Sequence, residues 1–198
     1  MSLELKELIE QFLKQSEVDP EFELYNEAGL QHELALFLRK QFERTRYRIQ
    51  LERNVDDIGI SLDEDEFPKR EIDIYIYERG GNERYCIELK FPTNRAFPRR
   101  MYQTFEDVNF IEYLKYKASF SGVALLFMTP LGGFLEGRDN AGIYKYFRED
   151  KCIRQPDYNL LQEFLQNKEK YKPLNIQGQY KFGWAKFRAK YHYFVITF

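Results

Sequence analysis

The spacing of apolar residues along the chain predicts several amphipathic helices. In the second of them Leu30, Leu34 and Leu38 recur at about 3.6 residues and form one apolar stripe. The same spacing marks four helical segments: Leu3–Gln15, Phe22–Arg44, Arg100–Lys117 and Tyr158–Lys170. Each has a polar side as well, so each is expected to pack one face on a core.

Other segments alternate apolar and polar residues with a period of two, which is typical of strands with one buried face. Strands are predicted at Tyr47–Glu52, Arg70–Glu78, Arg84–Phe91 and Tyr191–Thr197. Gly122–Thr129 is different because it is continuously apolar, so we expect a strand buried on both faces beside a parallel neighbour. Pro92 and Pro98 are expected to end regular structure.

The order of these elements predicts the fold class. Three consecutive strands, a crossover helix and a buried strand indicate an α/β fold with a layered sheet. The chain contains no internal repeat, low-complexity tract or linker-like segment, so residues 1–198 are expected to form one domain.

The segment from Glu71 to Lys90 carries the most informative pattern. Gly80-Gly81 is a hairpin signal. With these glycines at the centre of the turn, the two residue numbers of every opposed pair add up to 161. A symmetric four-residue loop gives the same pairing. Asp73 is then opposite Glu88, in the same way that Glu71 is opposite Lys90 and Tyr75 opposite Cys86. All six residues are expected on one face of the hairpin.

Two opposed carboxylates repel each other unless a cation lies between them. Carboxylate oxygens and water are the ligands that Mg²⁺ prefers, and Lys90 follows Glu88 on the same face. Asp73, Glu88 and Lys90 therefore predict a site for metal-assisted phosphodiester hydrolysis. The alternative is a solvated strand face on which Glu71 and Lys90 form an ion pair and both other acids point into water.

The segments EIDIYIY and YCIELKF, joined by a short hairpin, resemble the signature of the PD-(D/E)XK nuclease superfamily, also called restriction-endonuclease-like. The family's Asp falls on Asp73, and its (D/E)-x-K on Glu88, Leu89 and Lys90; Ile72 stands where Pro is usual. The resemblance covers about residues 22–130, roughly half of the chain. It implies an αβββαβ core, with an N-terminal helix and a C-terminal helix and strand added here.

The resemblance also implies an acidic residue on the first core helix. Glu27 is preferred over Glu33 because it lies within the stripe of Leu30 and Leu34, whereas Glu33 lies to one side. Glu27 is therefore expected to join Asp73 and Glu88 as a metal ligand. The alternative for Glu27 is a favourable interaction with the helix dipole.

Members of the family often have a polar residue on the helix after the third strand, where Gln103 and Asp107 lie one turn apart. Gln103 is the better match for positioning the water or the phosphate, and the alternative for it is an amide on the helix surface. Basic residues are further candidates for contacts with the nucleic-acid backbone: Arg95, Arg99 and Arg100 in the loop after the catalytic strand, and Lys186 and Arg188 near the C-terminus. The alternative for these residues is a solvated loop, and for the aromatic C-terminal stretch an ordinary core.

Composition and charge restrict the classes of function. Apolar residues make up 43% of the chain and aromatic residues 17%, which excludes a disordered chain. The net charge of −2 argues against a protein that coats DNA. However, charge is distributed unevenly, with eight acids and three bases in 52–71, and four bases and no acid in 181–190.

Few cysteines and histidines are available for other metal chemistry. Cys86 and Cys152 are the only cysteines, and His32 and His192 the only histidines, so a disulfide framework or a multi-histidine site is excluded. No phosphate-binding loop, dinucleotide fingerprint or serine-hydrolase elbow is present in the sequence. With no signal-like or membrane-spanning segment, the cytoplasm is the expected location.

The sequence thus predicts a nuclease that uses Mg²⁺ or Mn²⁺ and acts on nucleic acid, with DNA favoured over RNA and a homodimer possible. The competing hypothesis is a nuclease-like fold without catalysis that binds nucleic acid or protein. A purely structural hairpin is the third hypothesis, and it requires Asp73 and Glu88 to face open solvent.

Overall fold

A six-stranded mixed sheet lies at the centre of the protein, in a computed structural model that describes residues 3–63, 67, 69–149 and 174–198. The predicted helix Tyr158–Lys170 lies outside these residues. The strands are β1 Tyr47–Asn54, β2 Glu71–Glu78, β3 Arg84–Lys90, β4 Gly122–Thr129, β5 Ala185–Phe187 and β6 Tyr191–Thr197. Their order in the sheet is β1-β2-β3-β4-β6-β5, and only β3 and β4 pair in parallel.

Helices cover both faces of this sheet. The described helices are α1 Leu5–Val18, α2 Glu27–Gln41, α3 Phe97–Tyr116 and α4 Tyr144–Arg148. Side chains of α1 and α2 share one apolar cluster with one face of the sheet, and side chains of α3 and α4 share another with the opposite face. None of the helices in the described part of the chain is long and apolar enough to cross a bilayer.

The predicted α/β class and most of its strands are confirmed. β4 begins and ends at the predicted residues, is buried along its whole length and lies parallel to β3. Its side chains alternate between the two cores, with Leu126 facing the α1–α2 side and Leu125 facing the α3 side. A continuously apolar run was therefore the correct signal for a strand between two helical layers.

The predicted hairpin pairing is confirmed over the ladder of β2 and β3. Ile74 pairs with Ile87 and Tyr75 with Cys86, as the sum of 161 requires. The amide of Glu78 donates to the carbonyl of Glu83 at 2.9 Å, so the connection is the symmetric four-residue loop at 79–82. Gly80 has a φ of 75°, which a glycine adopts without the steric cost of a Cβ.

Several predicted boundaries are wrong, and the causes are local. α2 begins at Glu27 rather than Phe22, because Asn26 is extended and its Oδ1 accepts a hydrogen bond from the Gly29 amide at 2.7 Å. α3 begins at Phe97, and Pro98 lies in its first turn, where no intrahelical amide is needed. β5 and α4 carry too few residues for a periodic pattern.

The Asn26 cap determines where the helix that carries Glu27 begins, so its loss is expected to destabilise the fold. Asn26→Ala should lower the free energy of unfolding by about 1 kcal/mol, the usual cost of removing such a cap. Urea denaturation followed by circular dichroism measures it. Asn94→Ala is the control, because Asn94 caps no helix and accepts only a 3.3 Å bond from Ala96 in an exposed loop. Equal effects of the two substitutions would contradict the assignment.

Candidate functional site

Asp73 on β2 and Glu88 on β3 meet on the α3 side of the sheet. Asp73 is 8% exposed and Glu88 is completely buried, which contradicts the hypothesis of a solvated strand face. The Leu89 amide donates to Asp73 Oδ2 at 2.6 Å. The Asp73 amide approaches Glu88 Oε1 at 3.4 Å. Each carboxylate is therefore held by the backbone of the neighbouring strand.

The ammonium of Lys69 lies between these two carboxylates. Its Nζ is 2.8 Å from Asp73 Oδ1 and also bonds Glu88 Oε2. Lys69 precedes β2, so it enters from a loop and not from the ladder. The mutual repulsion predicted for the acid pair is thus offset here by a shared monovalent cation of the protein itself.

Gln31 of α2 fixes the backbone at Asp73 from the other side. Its Nε2 donates to the Asp73 carbonyl at 2.8 Å and also to Glu52 Oε1. Glu52 has a φ of 48°, an uncommon conformation for a residue with a side chain. β1 is therefore distorted next to Asp73, at a point where the amide of a helix side chain replaces strand pairing.

Lys90 forms a second buried ion pair. Its Nζ lies 3.0 Å from Oδ2 of Asp107 on α3, and the side chains are 16% and 4% exposed. The ion pair with Glu71 that the sequence allowed is not formed, and Glu71 is exposed. Asp107 holds the Lys90 ammonium towards α3.

Glu27 is the helix carboxylate that approaches this cluster. Its Oε2 accepts a hydrogen bond from the Phe91 amide at 2.7 Å, just after β3 ends. Burial raises the pKa of Glu27, and the charges of Asp73 and Asp107 add to the rise although Lys90 opposes it. Glu33 makes none of these contacts within the described chain.

A cleft of about 240 Å³ opens beside the two lysines. Gln103, Glu106 and Asp107 line it from one side of α3, and Lys69 and Lys90 line it from the sheet side. Arg100 Nη1 donates to Gln103 Oε1 at 2.9 Å, which orients the amide of Gln103. The predicted Gln103 is therefore in the same cleft as Lys90.

A larger cleft of about 740 Å³ lies further along α3, beside Glu112. Glu112 already accepts hydrogen bonds from the amides of Gln177 and Gly178 and from the Tyr180 hydroxyl, at 2.5–2.6 Å. This carboxylate anchors the C-terminal segment to α3. The smaller cleft is lined by Lys69 and Lys90, and Lys69 bonds Asp73 and Glu88 behind it, so we place the candidate site there.

Carboxyl groups outnumber ammonium groups in the cluster. Five carboxylates, those of Glu27, Asp73, Glu88, Glu106 and Asp107, surround the ammonium groups of Lys69 and Lys90. Burial and the neighbouring Asp73 raise the pKa of Glu88 well above its ordinary value. Burial and Asp107 raise the pKa of Glu106 to about 7. Burial also raises the pKa of Asp107.

The two lysines remain charged in this surrounding. Burial alone would lower the pKa of Lys69, but the carboxylates of Glu88, Asp107 and Asp73 outweigh it and raise the pKa. Burial acts against Lys90 too, and Asp107 and Glu27 reverse its effect so that the pKa is raised. Both ammonium groups are thus part of the charge balance at neutral pH.

Asp73 and Glu88 fit a hard divalent cation in chemical type, because two carboxylates completed by water are a common magnesium donor set. Within the part of the chain that the structure describes, no three His, Cys, Asp or Glu side chains are grouped to hold a metal ion. The predicted trio with Glu27 as third ligand is therefore not assembled here. Glu27 instead accepts a hydrogen bond from the Phe91 amide, and its charge acts on Lys90 without direct contact.

The predicted basic residues are scattered. Arg95 is exposed in the loop after β3, whereas Arg99 and Arg100 lie on α3 and not in that loop. Arg188 donates to the carbonyls of Ser16, Asp19 and Phe22, so its guanidinium fastens the end of α1. Lys186 is exposed on β5. Trp184 donates to the Phe147 carbonyl and packs against Phe127, as a core residue does.

Sequence reasoning missed Lys69 and Glu106 as members of the site, and it ranked Asp107 below Gln103 as the polar residue of the helix. Lys69 lies in a loop, where no periodicity indicates a direction for its side chain. Asp107 and Glu106 had a usable signal, because they follow Gln103 by one helical turn and extend the same face.

Comparison of the chain with protein-family models, with curated proteins and with solved structures gives no match.

The raised carboxyl pKa values predict that acid stabilises the metal-free protein. A carboxyl whose pKa is higher in the folded state favours folding while protonated, so this contribution is lost as pH rises through the folded value. For Glu106 the window runs from 4.5 to about 7. The free energy of unfolding in EDTA should therefore decrease across this range in urea titrations, and Glu106→Gln should reduce the decrease.

Glu33→Gln is the matched control, because Glu33 is a half-buried helix glutamate outside the cluster. The free energy of unfolding of Glu33→Gln should decrease with pH as steeply as that of the unsubstituted protein. An unfolding free energy that rises with pH over the same window, or equal slopes for Glu106→Gln and the unsubstituted protein, would contradict the electrostatic description.

Proposed function

We propose that this protein is a metal-dependent nuclease with a restriction-endonuclease-like core, as its resemblance to the PD-(D/E)XK superfamily implies. The observation that carries the proposal is that Asp73 and Glu88 both bind the ammonium of Lys69, next to the ion pair of Lys90 and Asp107. Such a pair on adjacent strands has little structural advantage, since apolar residues would pack there without a buried charge.

The order of elements supports the core assignment. From α2 to β4 the chain runs helix, three strands, helix and strand, in the αβββαβ order that the family implies. β1, β2 and β3 form an antiparallel meander, and α3 crosses over to bring β4 parallel to β3. The candidate site lies where β3 ends, and in open sheets with parallel strands ligands commonly bind at this edge.

Asp73 and Glu88 would hold the cation through the oxygens that now face Lys69. When bound there, Mg²⁺ or Mn²⁺ supplies Lewis-acid stabilisation of the negative charge on a phosphodiester. Glu27 contributes negative charge nearby and holds the Phe91 amide, which maintains the position of the chain as it leaves β3.

Residues of the cleft would act on the substrate. Lys90, held by Asp107, can donate to a phosphate oxygen as charge develops on it. Gln103, oriented by Arg100, presents its amide to the water or the phosphate. Glu106 has a pKa of about 7, so it can accept a proton from the attacking water near neutral pH.

Exposed basic residues would contact the nucleic-acid backbone outside the cleft. Lys186 lies at the same end of the sheet as Lys90, because it pairs with His192, which pairs with Thr129 near the end of β4. Arg95 and Arg99 flank the start of α3. The bonds of Arg188 to three carbonyls remove it from this set. A homodimer that cuts both DNA strands is part of this proposal.

A second candidate is a nuclease-like fold without catalysis that binds nucleic acid or protein. One observation favours it: both lysines of the cleft already neutralise carboxylates within the protein. In this case the ammonium of Lys69 would permanently replace the metal.

Incubation with plasmid, single-stranded DNA and RNA, each with Mg²⁺, Mn²⁺ or EDTA, tests the proposal. Cleavage should require the metal, and Lys90→Ala should reduce its rate at least about 100-fold, since both charge stabilisation and positioning are lost. Asp73→Asn should have a similar effect. Gel electrophoresis of the products measures cleavage.

Lys14→Ala is the matched control, because Lys14 is an exposed lysine on α1, on the opposite face of the sheet. It should cleave as the unsubstituted protein does, and circular dichroism should show all variants folded. Metal-dependent cleavage that survives Lys90→Ala would reject the assigned role. No cleavage of any substrate, with nucleic-acid binding retained, would favour the second candidate.

A further inference from the structure

Among the residues that the structure describes, no backbone amide donates to the oxygens of Asp73 and Glu88 that face Lys69. Asp73 Oδ2 accepts from the Leu89 amide, whereas Asp73 Oδ1 faces Lys69. Glu88 Oε1 faces the Asp73 amide and the Cys86 thiol at 3.4 and 3.6 Å, whereas Glu88 Oε2 faces Lys69. A cation that uses both carboxylates must therefore use the two oxygens that the ammonium now holds.

Lys69 differs from Asp73 and Glu88 because it lies outside the strands of the sheet. The two carboxylates are held by backbone hydrogen bonds from the neighbouring strand, while Lys69 lies outside β2 and its side chain is 27% exposed. Its Nζ bonds only Asp73 and Glu88 within the described structure. The side chain can therefore swing towards solvent without disturbing the sheet.

We propose that Lys69 is an exchangeable counter-ion of the candidate metal site, so that its ammonium and a divalent cation bind Asp73 and Glu88 in alternation. This exchange rests on the proposed cation site and not on cleavage, and it would regulate the binding of a metal ion to Asp73 and Glu88. In the metal-free protein Lys69 is the counter-ion of the two carboxylates. A divalent cation displaces it, and the metal affinity is reduced by the free energy of the displaced ion pair.

Lys90 distinguishes direct competition from a general effect of charge. It is another lysine of the same cleft, but its ammonium is held by Asp107 and does not bond Asp73 or Glu88. Removing either lysine makes the cleft more negative by one charge. Only the removal of Lys69 uncovers the oxygens of the site.

Isothermal titration calorimetry with Mn²⁺ tests the exchange with the variants Lys69→Met and Lys90→Met. Mildly alkaline buffer is used so that a proton does not take the place of the ammonium. Lys69→Met should bind Mn²⁺ at least about tenfold more tightly than the unsubstituted protein, and Lys90→Met less than about threefold more tightly. The double variant Lys69→Met with Asp73→Asn should lose the gain.

A measurement on the unsubstituted protein covers the case in which Lys69→Met does not fold. The ¹⁵N-labelled ε-ammonium of a buried, ion-paired lysine exchanges slowly enough to be followed by NMR. The Lys69 signal should move to the position of a solvated lysine or disappear as Mg²⁺ is added, at the concentration at which the metal binds. The Lys90 signal should persist.

The outcomes separate this inference from the proposed function. If Lys69→Met binds Mn²⁺ more tightly and the unsubstituted protein cleaves no substrate, the exchange is supported and the nuclease is rejected. If the unsubstituted protein cleaves nucleic acid but Lys69→Met and Lys90→Met bind Mn²⁺ equally tightly, the nuclease is retained and the exchange is overturned. A Lys69 signal unchanged at saturating Mg²⁺, or no Mn²⁺ binding by any variant, also overturns it.

Discussion

The close approach of Asp73 and Glu88 at the end of two paired strands is the electrostatic constraint around which the neighbouring charged residues are arranged. The acids are buried next to the last ladder pair, Ile74 with Ile87, and each accepts a hydrogen bond from the backbone of the other strand. A buried pair of like charges is costly unless a positive charge lies between them. Lys69 fulfils this requirement within the protein, and the chemistry of the two carboxylates would also suit a hard divalent ion.

α3 gives the cluster its second half. Its Asp107 holds Lys90, its Gln103 is oriented by Arg100, and its Glu106 borders the same cleft. A helix with several acids facing a sheet would be destabilising on its own, because burial raises the pKa of each carboxyl. The lysines compensate on the sheet side, so helix and sheet depend on each other electrostatically as well as through apolar packing. Because carboxyl groups still outnumber ammonium groups in the cluster, binding of a further cation there would be favourable.

Much of the fold could be predicted because it depends on local periodicity. The alternation in β2 and β3 and the glycines between them determine the register from Ile74 to Tyr77, and the apolar run of β4 indicates burial on both faces. Helix boundaries were less predictable, since the Asn26 cap and Pro98 in the first turn of α3 act through single residues. The meeting of Asp73 and Glu88 was predictable because strand side chains alternate in direction, and the position of Glu27 within the apolar stripe of α2 favoured it over Glu33.

The sequence by itself determined the sheet register, the two-sided burial of β4 and the meeting of Asp73 with Glu88, because each depends on residues close in sequence or on strict alternation. Only the tertiary structure decided which cations these acids receive. Lys69 comes from a loop, and Asp107 reaches Lys90 from a helix whose rotation is set by packing against the whole sheet. Such pairings depend on distances between separate elements, and no period along the chain encodes them.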